Sequence, residues 1–269
     1  MIVDWNPILL HLGPVSIRWY GFLMAFSILV GFYYLRRGAL RAGYSEDFIY
    51  NLVFLSVVGG IIGARFIYVV TNWADFSGQP LQMLRIDEGG LSFHGGILGG
   101  FICGGGYLRL KGASFRELAD LAVPGIALGI VLVRIGNLFN QEVLGRPAEI
   151  MAAFGLMRHP AQLYGSAIGV VLLVLHNVLA RRKPPLPPGY LWWSFFMWYG
   201  ILRGVVEETF RDNPLYALGY VNGHWGIGFF TLTQLVTPVL VALGWSMRRR
   251  TLKPLTPAKG PKQPKPARP

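Results

Sequence analysis

Apolar runs long enough to cross a lipid bilayer recur along nearly all of this 269-residue chain. A bilayer core about 30 Å thick takes roughly 20 helical residues to span. Seven runs approach that length, over residues 14–35, 48–71, 92–110, 117–139, 161–180, 189–209 and 224–247. Short links join them, apart from longer ones at 72–91 and 140–160. With 53% hydrophobic and 14% charged residues, the chain is too apolar for an ordinary soluble domain. The expectation is an all-α polytopic membrane protein with seven transmembrane helices.

Basic residues set its orientation. Arg36, Arg37 and Arg41 follow the first run; Arg109, Lys111 and Arg116 lie between the third and fourth. Arg181, Arg182 and Lys183 precede the sixth, and Arg248, Arg249 and Arg250 follow the seventh. With seven spans these clusters all fall on one side, while Arg85, Arg146, Arg158 and Arg211 are scattered singly on the other. The positive-inside rule then puts the N-terminus outside and the C-terminus in the cytoplasm. The opening stretch MIVDWNPILLHLGPV lacks the basic start of a cleavable signal peptide. Residues 1–248 read as one membrane domain, and 249–269 as a Pro/Lys-rich, disordered cytoplasmic tail.

The net charge of +12 does not point to nucleic acid, because the basic residues cluster beside apolar runs. The single cysteine, Cys103, excludes an intramolecular disulfide framework and a cysteine-based zinc cluster, and reads as a small packing residue. His11, His176 and His224 form no constellation, and no spacing fits a metal site, so neither metal nor cofactor is expected. No internal repeat supports an inverted-repeat transporter.

Hydrogen-bonding side chains crowd one end of the spans. VRIGNLFNQEVLGRP (133–147) ends the fourth, IRWYG (17–21) begins the first, LSFHGG (91–96) begins the third and WYGILRGVVEETFRDN (198–213) ends the sixth. Arg18, Tyr20, His94, Arg134, Asn137, Asn140, Glu142, Tyr199, Arg203, Glu207 and Arg211 therefore share one outer layer. An arginine facing lipid at a span centre costs about 2.5–3.5 kcal/mol, so such side chains normally face protein or a wet cavity. Arg203 and Glu207 stand four apart on one helix face. Arginines outnumber acidic partners here, and the planar guanidinium fork suits phosphate. At the lipid–water boundary the simplest such anion is a phospholipid headgroup. In FHGGILGGFICGGG, glycines four apart suit close helix packing. His94 directly precedes the first glycine pair and has the chemistry of a proton acceptor. His159 precedes Pro160 in the outer loop, either seating a peptide or holding the loop.

RIGNLFNQEVLGR (134–146), LSFHGG (91–96), HPAQLY (159–164) and YGILRGVVE (199–207) together resemble the bacterial prolipoprotein diacylglyceryl transferases. Order, spacing and span number agree over roughly residues 10 to 248. The resemblance implies transfer of the diacylglyceryl group of phosphatidylglycerol to the lipobox cysteine of a prolipoprotein, with a thioether and glycerol phosphate as products. It implies a bacterial inner-membrane enzyme with its site near the periplasmic face. It makes Arg134 and Arg203 the headgroup-binding arginines, Asn137, Glu142 and Gly145 site residues, His94 and Tyr199 candidates for proton handling, and Tyr20 a neighbour of the lipid. The chain departs from the family pattern at Val133 and Leu138. It also departs after Arg203, where the family's acid and second arginine are three apart; Glu207 and Arg211 are four apart, Glu208 and Arg211 three. Glu207, which keeps the four-residue step from Arg203, is preferred over Glu208.

The reaction would need a thiolate, because a cysteine with a free pKa of about 8.5 is mostly protonated at neutral pH. It would also need donors for the charge developing on phosphate, and alignment of sulfur with carbon. Arg134 and Arg203 would clamp the phosphate, and Asn137 and Asn140 would serve the glycerol hydroxyls or Arg134. Glu142 and Glu207 would orient the guanidinium groups, and Gly145 would let the backbone approach the headgroup or make a tight turn. His94 is the favoured base and Tyr199 its rival, although an electropositive cavity could itself lower the thiol pKa. The alternatives are a lipid or anion transporter, whose ionisable groups should sit at mid-membrane, and a non-catalytic lipid-binding scaffold.

Overall fold

The structure, a computed structural model, describes residues 5–13, 15–78, 80–85 and 90–252. Two strands open the chain, β1 (Ile8–Leu12) and β2 (Val15–Arg18), and α1 (Trp19–Arg41), α2 (Glu46–Thr71) and a single turn, α3 (Trp73–Phe76), follow. A 3-10 turn at Pro80–Leu84 leads to α4 (Phe93–Leu110) and α5 (Phe115–Phe139). A second 3-10 turn at Glu149–Phe154 precedes α6 (Ala161–Ala180) and α7 (Tyr190–Leu202). The chain then winds into a π-turn (Arg203–Glu207), a last turn α8 (Glu208–Phe210), strands β3 (Leu215–Asn222) and β4 (Ile227–Thr231), and α9 (Leu232–Leu252).

Helix starts follow from local chemistry. The Ser45, Ser92 and Ser114 hydroxyls accept the backbone N–H of Phe48 (3.3 Å), Gly95 (3.4 Å) and Glu117 (3.3 Å), capping α2, α4 and α5. Glu46 and Asp47 in the first turn of α2, and Glu117 in that of α5, suit the positive helix end. α7 begins at Gly189, in a left-handed conformation, and is capped from another helix. The Asp120 carboxylate on α5 accepts the Gly189 (2.7 Å) and Trp192 (2.6 Å) N–H groups.

α2 packs on α4, α1 on α5, α5 on α6 and α7 on α9. The α2–α4 contact is glycine on glycine: a Cβ added at Gly63 would fall 2.8 Å from the Gly99 Cα, and one at Gly99 would strike the Gly59 carbonyl. Gly105 and Gly106, by contrast, face open space. Cys103 is exposed, its sulfur against Gly59. At one end of the bundle Ala39, Ile49, Leu52, Leu108 and Leu118 form a small core where the α1–α2 and α4–α5 turns meet. Asp120 brings the start of α7 to that end, and the Arg248 guanidinium lies over the Tyr190 ring (5.6 Å), bringing the end of α9 there too. At the opposite end Phe139 stacks on Trp19 (centroids 4.9 Å apart), joining the end of α5 to the start of α1.

α1, α2, α5 and α6 are long and apolar enough to cross a membrane. The other three expected spans are helices, but shorter or more polar. α4 has 18 residues, seven of them glycine; α7 stops at 13 and gives way to the π-turn; α9 ends in three arginines. The structure departs from the all-α expectation, because two antiparallel hairpins, β1–β2 and β3–β4, also form. The run expected to start at residue 14 becomes helical only at Trp19, and that expected at 224 only at Leu232. α9 continues through Leu252, so residues 249–252 of the expected tail are helical, and the rest of the tail lies outside the described residues.

Candidate functional site

Arg134 lies on α5, about one and a half turns before the end joined to α1. The π-turn at the end of α7 reaches the same level and supplies Arg203 and Glu207; Glu208 and Arg211 follow. The four-residue step from Arg203 to Glu207 carries their charges to one side. The Glu207 carboxylate gathers the group: Oε1 lies 2.6 Å from Arg134 Nη2, 3.2 Å from Arg203 Nη1 and 3.8 Å from Arg211 Nη1. Glu208 Oε1 lies 3.3 Å from Arg203 Nη2 and 3.6 Å from Arg211 Nη1. The two carboxylates are 1% and 0% exposed, whereas Arg134, Arg203 and Arg211 keep 13%, 22% and 21%. The acids are sealed in protein, and the arginines present what remains open. Three guanidinium groups share these two carboxylates, an excess of one positive charge among the groups in contact, with Glu142 a third acid behind Asn137.

A second layer holds Arg134 in place. Arg134 Nη1 reaches the Asn137 carbonyl at 3.5 Å, and the Asn137 amide donates to Glu142 (3.2 Å), as does that of Asn140 (3.4 Å). Glu142 sits between two residues with left-handed backbone, Gln141 (φ 54°) and Val143 (φ 59°). That conformation is an outlier for a β-branched valine and stores strain where the chain turns Glu142 back toward α5. The Gln162 amide on α6 donates to the Glu142 carbonyl (2.7 Å), fixing the turn from the far side. Tyr20 on α1 packs on Gly136, where a Cβ would lie 3.1 Å from its ring, and interacts electrostatically with Glu142 and Arg134. Tyr199 interacts with Arg203 one turn below it and stacks on Phe195, with centroids 6.0 Å apart.

The structure thus brings together Tyr20, Arg134, Asn137, Asn140, Glu142, Tyr199, Arg203, Glu207 and Arg211. It leaves two of the expected layer outside: Arg18, exposed at the start of α1, and His94, exposed in the first turn of α4 with its ring against Phe93 (5.8 Å). α4 is packed on α2, whereas the ionic group rests on α5 and on the chain from α7 to α8. Gly145 is a glycine for a reason other than the one expected. A Cβ there would strike the His159 carbonyl, so the missing side chain lets two backbone segments close up. Gly145 also pairs across a backbone bridge with Arg211, tying this loop to the ionic group. His159 is buried and holds the loop: Nδ1 meets the Tyr164 hydroxyl at 2.9 Å and Nε2 the Trp225 carbonyl at 2.8 Å.

Glu208, ranked behind Glu207 from the sequence, also reaches Arg203. Two further positions escaped the sequence reading. Gln162 lay inside HPAQLY, its role invisible. Gly165 gives Arg134 its room: a Cβ there would lie 2.7 Å from Nε and 2.9 Å from Cδ. Among the described residues no group of three His, Cys, Asp or Glu could hold a metal.

Residues 7–248 match the family described as prolipoprotein diacylglyceryl transferase. A relative from Thermoanaerobacter sp. (strain X514), named phosphatidylglycerol–prolipoprotein diacylglyceryl transferase, is 50% identical over 92% of this chain and 94% of its own. Relatives of the same name from Caldanaerobacter subterraneus subsp. tengcongensis and Thermus thermophilus are 48% and 40% identical, over 93% and 90% of this chain and 96% and 97% of theirs. This membrane protein, with its arginines gathered around a buried acid at one end of the bundle, belongs to the prolipoprotein diacylglyceryl transferase family.

Proposed function

We propose that the chain transfers the diacylglyceryl group of phosphatidylglycerol to the lipobox cysteine thiol of a prolipoprotein. The thiolate sulfur attacks the glyceryl carbon, a C–S bond forms as the C–O bond to phosphate breaks, and glycerol phosphate leaves. The observation that carries this reading is the convergence of Arg134 and Arg203, from two separate helices, on the one buried carboxylate of Glu207. Glu207 orients both forks, and their open edges receive the phosphodiester. Asn137 and Asn140 position Arg134 and Glu142 and serve the glycerol hydroxyls, and Tyr20 borders the lipid. Tyr199 adjoins Arg203 and would handle the thiol proton, with His94, exposed at the start of α4, as the other candidate. The names of the relatives support both donor and acceptor.

In this reading α1, α2, α4, α5, α6, α7 and α9 cross the bacterial inner membrane, with the N-terminus and the site on the periplasmic side and the tail in the cytoplasm. The support is geometric. The basic residues after α1, between α4 and α5, and at the end of α9 lie at the small-core end, opposite Arg134. Residues 1–248 form the catalytic unit.

Purified protein incubated with phosphatidylglycerol vesicles and a lipobox peptide should release glycerol phosphate in step with peptide lipidation. Arg134→Lys keeps the charge but loses the fork, and should lower the rate at least about a hundredfold while the protein stays folded. A wild-type rate in that variant removes the phosphate clamp.

A further inference from the structure

Carboxylates at both i+4 and i+5 from Arg203 meet its guanidinium, one at each terminal nitrogen. An α-helix turns position i+5 well away from i. Here the backbone is wound one residue wider: the Glu208 N–H bonds the Arg203 carbonyl, closing the i to i+5 ring of a π-turn. The wider turn brings Glu208 under Arg203 without removing Glu207. Both acids also reach Arg211. The far oxygen of Glu208, Oε2, accepts from the Asn213 amide (2.8 Å), fixing the carboxylate from behind.

This matters for charge. With Glu207 alone, the three arginines would exceed the acids they touch by two charges; with Glu208 the excess is one, and Glu142 behind Asn137 lowers it further. Taking the proposed reaction as given, the substrate phosphodiester is a monoanion. The product is a phosphate monoester, whose second ionisation lies near pH 6 for comparable esters, so at neutral pH it is mostly a dianion. Each positive charge removed from the site weakens its hold on the dianionic product more than on the monoanionic substrate.

We propose that Glu208 is a positioning residue that trims the charge of the arginine group, so that the phosphate monoester product leaves. It does not touch the reacting atoms but acts through Arg203 and Arg211.

The test measures inhibition by added glycerol phosphate alongside single-turnover and steady-state rates, in wild type, Glu208→Gln, Arg211→Gln and the double variant. Glutamine keeps the shape, and the Asn213 amide can turn its carbonyl to meet it. Glu208→Gln should bind glycerol phosphate roughly tenfold more tightly. Its steady-state turnover should fall further than its single-turnover rate. Arg211→Gln should bind the product more weakly, and the double variant, with its charge restored, should return near wild type. Unchanged or weaker product inhibition in Glu208→Gln overturns the proposal, as does a double variant no better than its parents. If Glu208→Gln does not fold, the double variant set against Arg211→Gln decides: recovered product affinity supports the proposal, and no recovery overturns it. A wild-type protein that releases no glycerol phosphate from phosphatidylglycerol sinks the proposed function itself. Active wild type with unmoved inhibition constants sinks only the role of Glu208.

Discussion

Gly165 sets the position of Arg134 although it carries no functional group. Arg134 runs across α6 where a side chain at 165 would lie, within 3.0 Å of its Cγ, Cδ and Nε. Gly165→Ala adds one methyl group against a flexible stem, so the helix should hold and the guanidinium should move. A displacement of about 1 Å in a catalytic array can cost on the order of a hundredfold in rate. We expect turnover at least tenfold lower, with thermal stability within about 1 kcal/mol of wild type, read from glycerol phosphate release and detergent melting curves. Arg134, Asn137, Glu142 and Arg203 were legible because a bilayer forbids stray charge, so polar residues at span ends must find one another. Gly145 was singled out for an approach to the headgroup, whereas it meets the His159 backbone, since spacing does not say which backbone comes close. The left-handed backbone at Gln141 and Val143 had no advance signal, as neither residue favours it.

Among elements, the helices were legible to within a few residues wherever apolar length is the only demand. The hairpins were not. LYALGYVN and IGFFT are rich in β-branched and aromatic residues, and Asn222-Gly223 is a strong turn signal between them, but hydropathy alone joined the second strand to α9. The π-turn left no pattern, because Arg203–Glu207 reads equally well as an ordinary helical pair. The glycine run of α4 was read rightly as a packing face, but only on the side toward α2. Gly99→Val puts branched carbon against the Gly59 carbonyl and the Gly63 Cα, both backbone that cannot swing aside. It should destabilise the α2–α4 pair by about 1–3 kcal/mol, seen as a lower melting temperature, whereas valine at Gly106, which faces open space, should leave it nearly unchanged.

For the whole molecule, the prediction concerns which end faces which compartment. Cys103 is the lone cysteine, so Cys103→Ser gives a background for single probes. Phe154→Cys lies beside the expected outer face and Lys111→Cys at the small-core end. In intact spheroplasts a membrane-impermeant maleimide should label position 154 and spare 111 until the membrane is opened. Labelling in the reverse order inverts the molecule and moves the ionic site to the cytoplasm.

α2 and α4 touch backbone to backbone at Gly59, Gly63, Gly95 and Gly99, with side chains such as Ser56, Ile67 and Cys103 entering the rest of the seam. Carbonyl oxygens seated against Cα atoms leave little room for one helix to slide past the other, so the two should move as one body. Because His94 lies in the first turn of α4, any displacement of its imidazole should drag α2 with it.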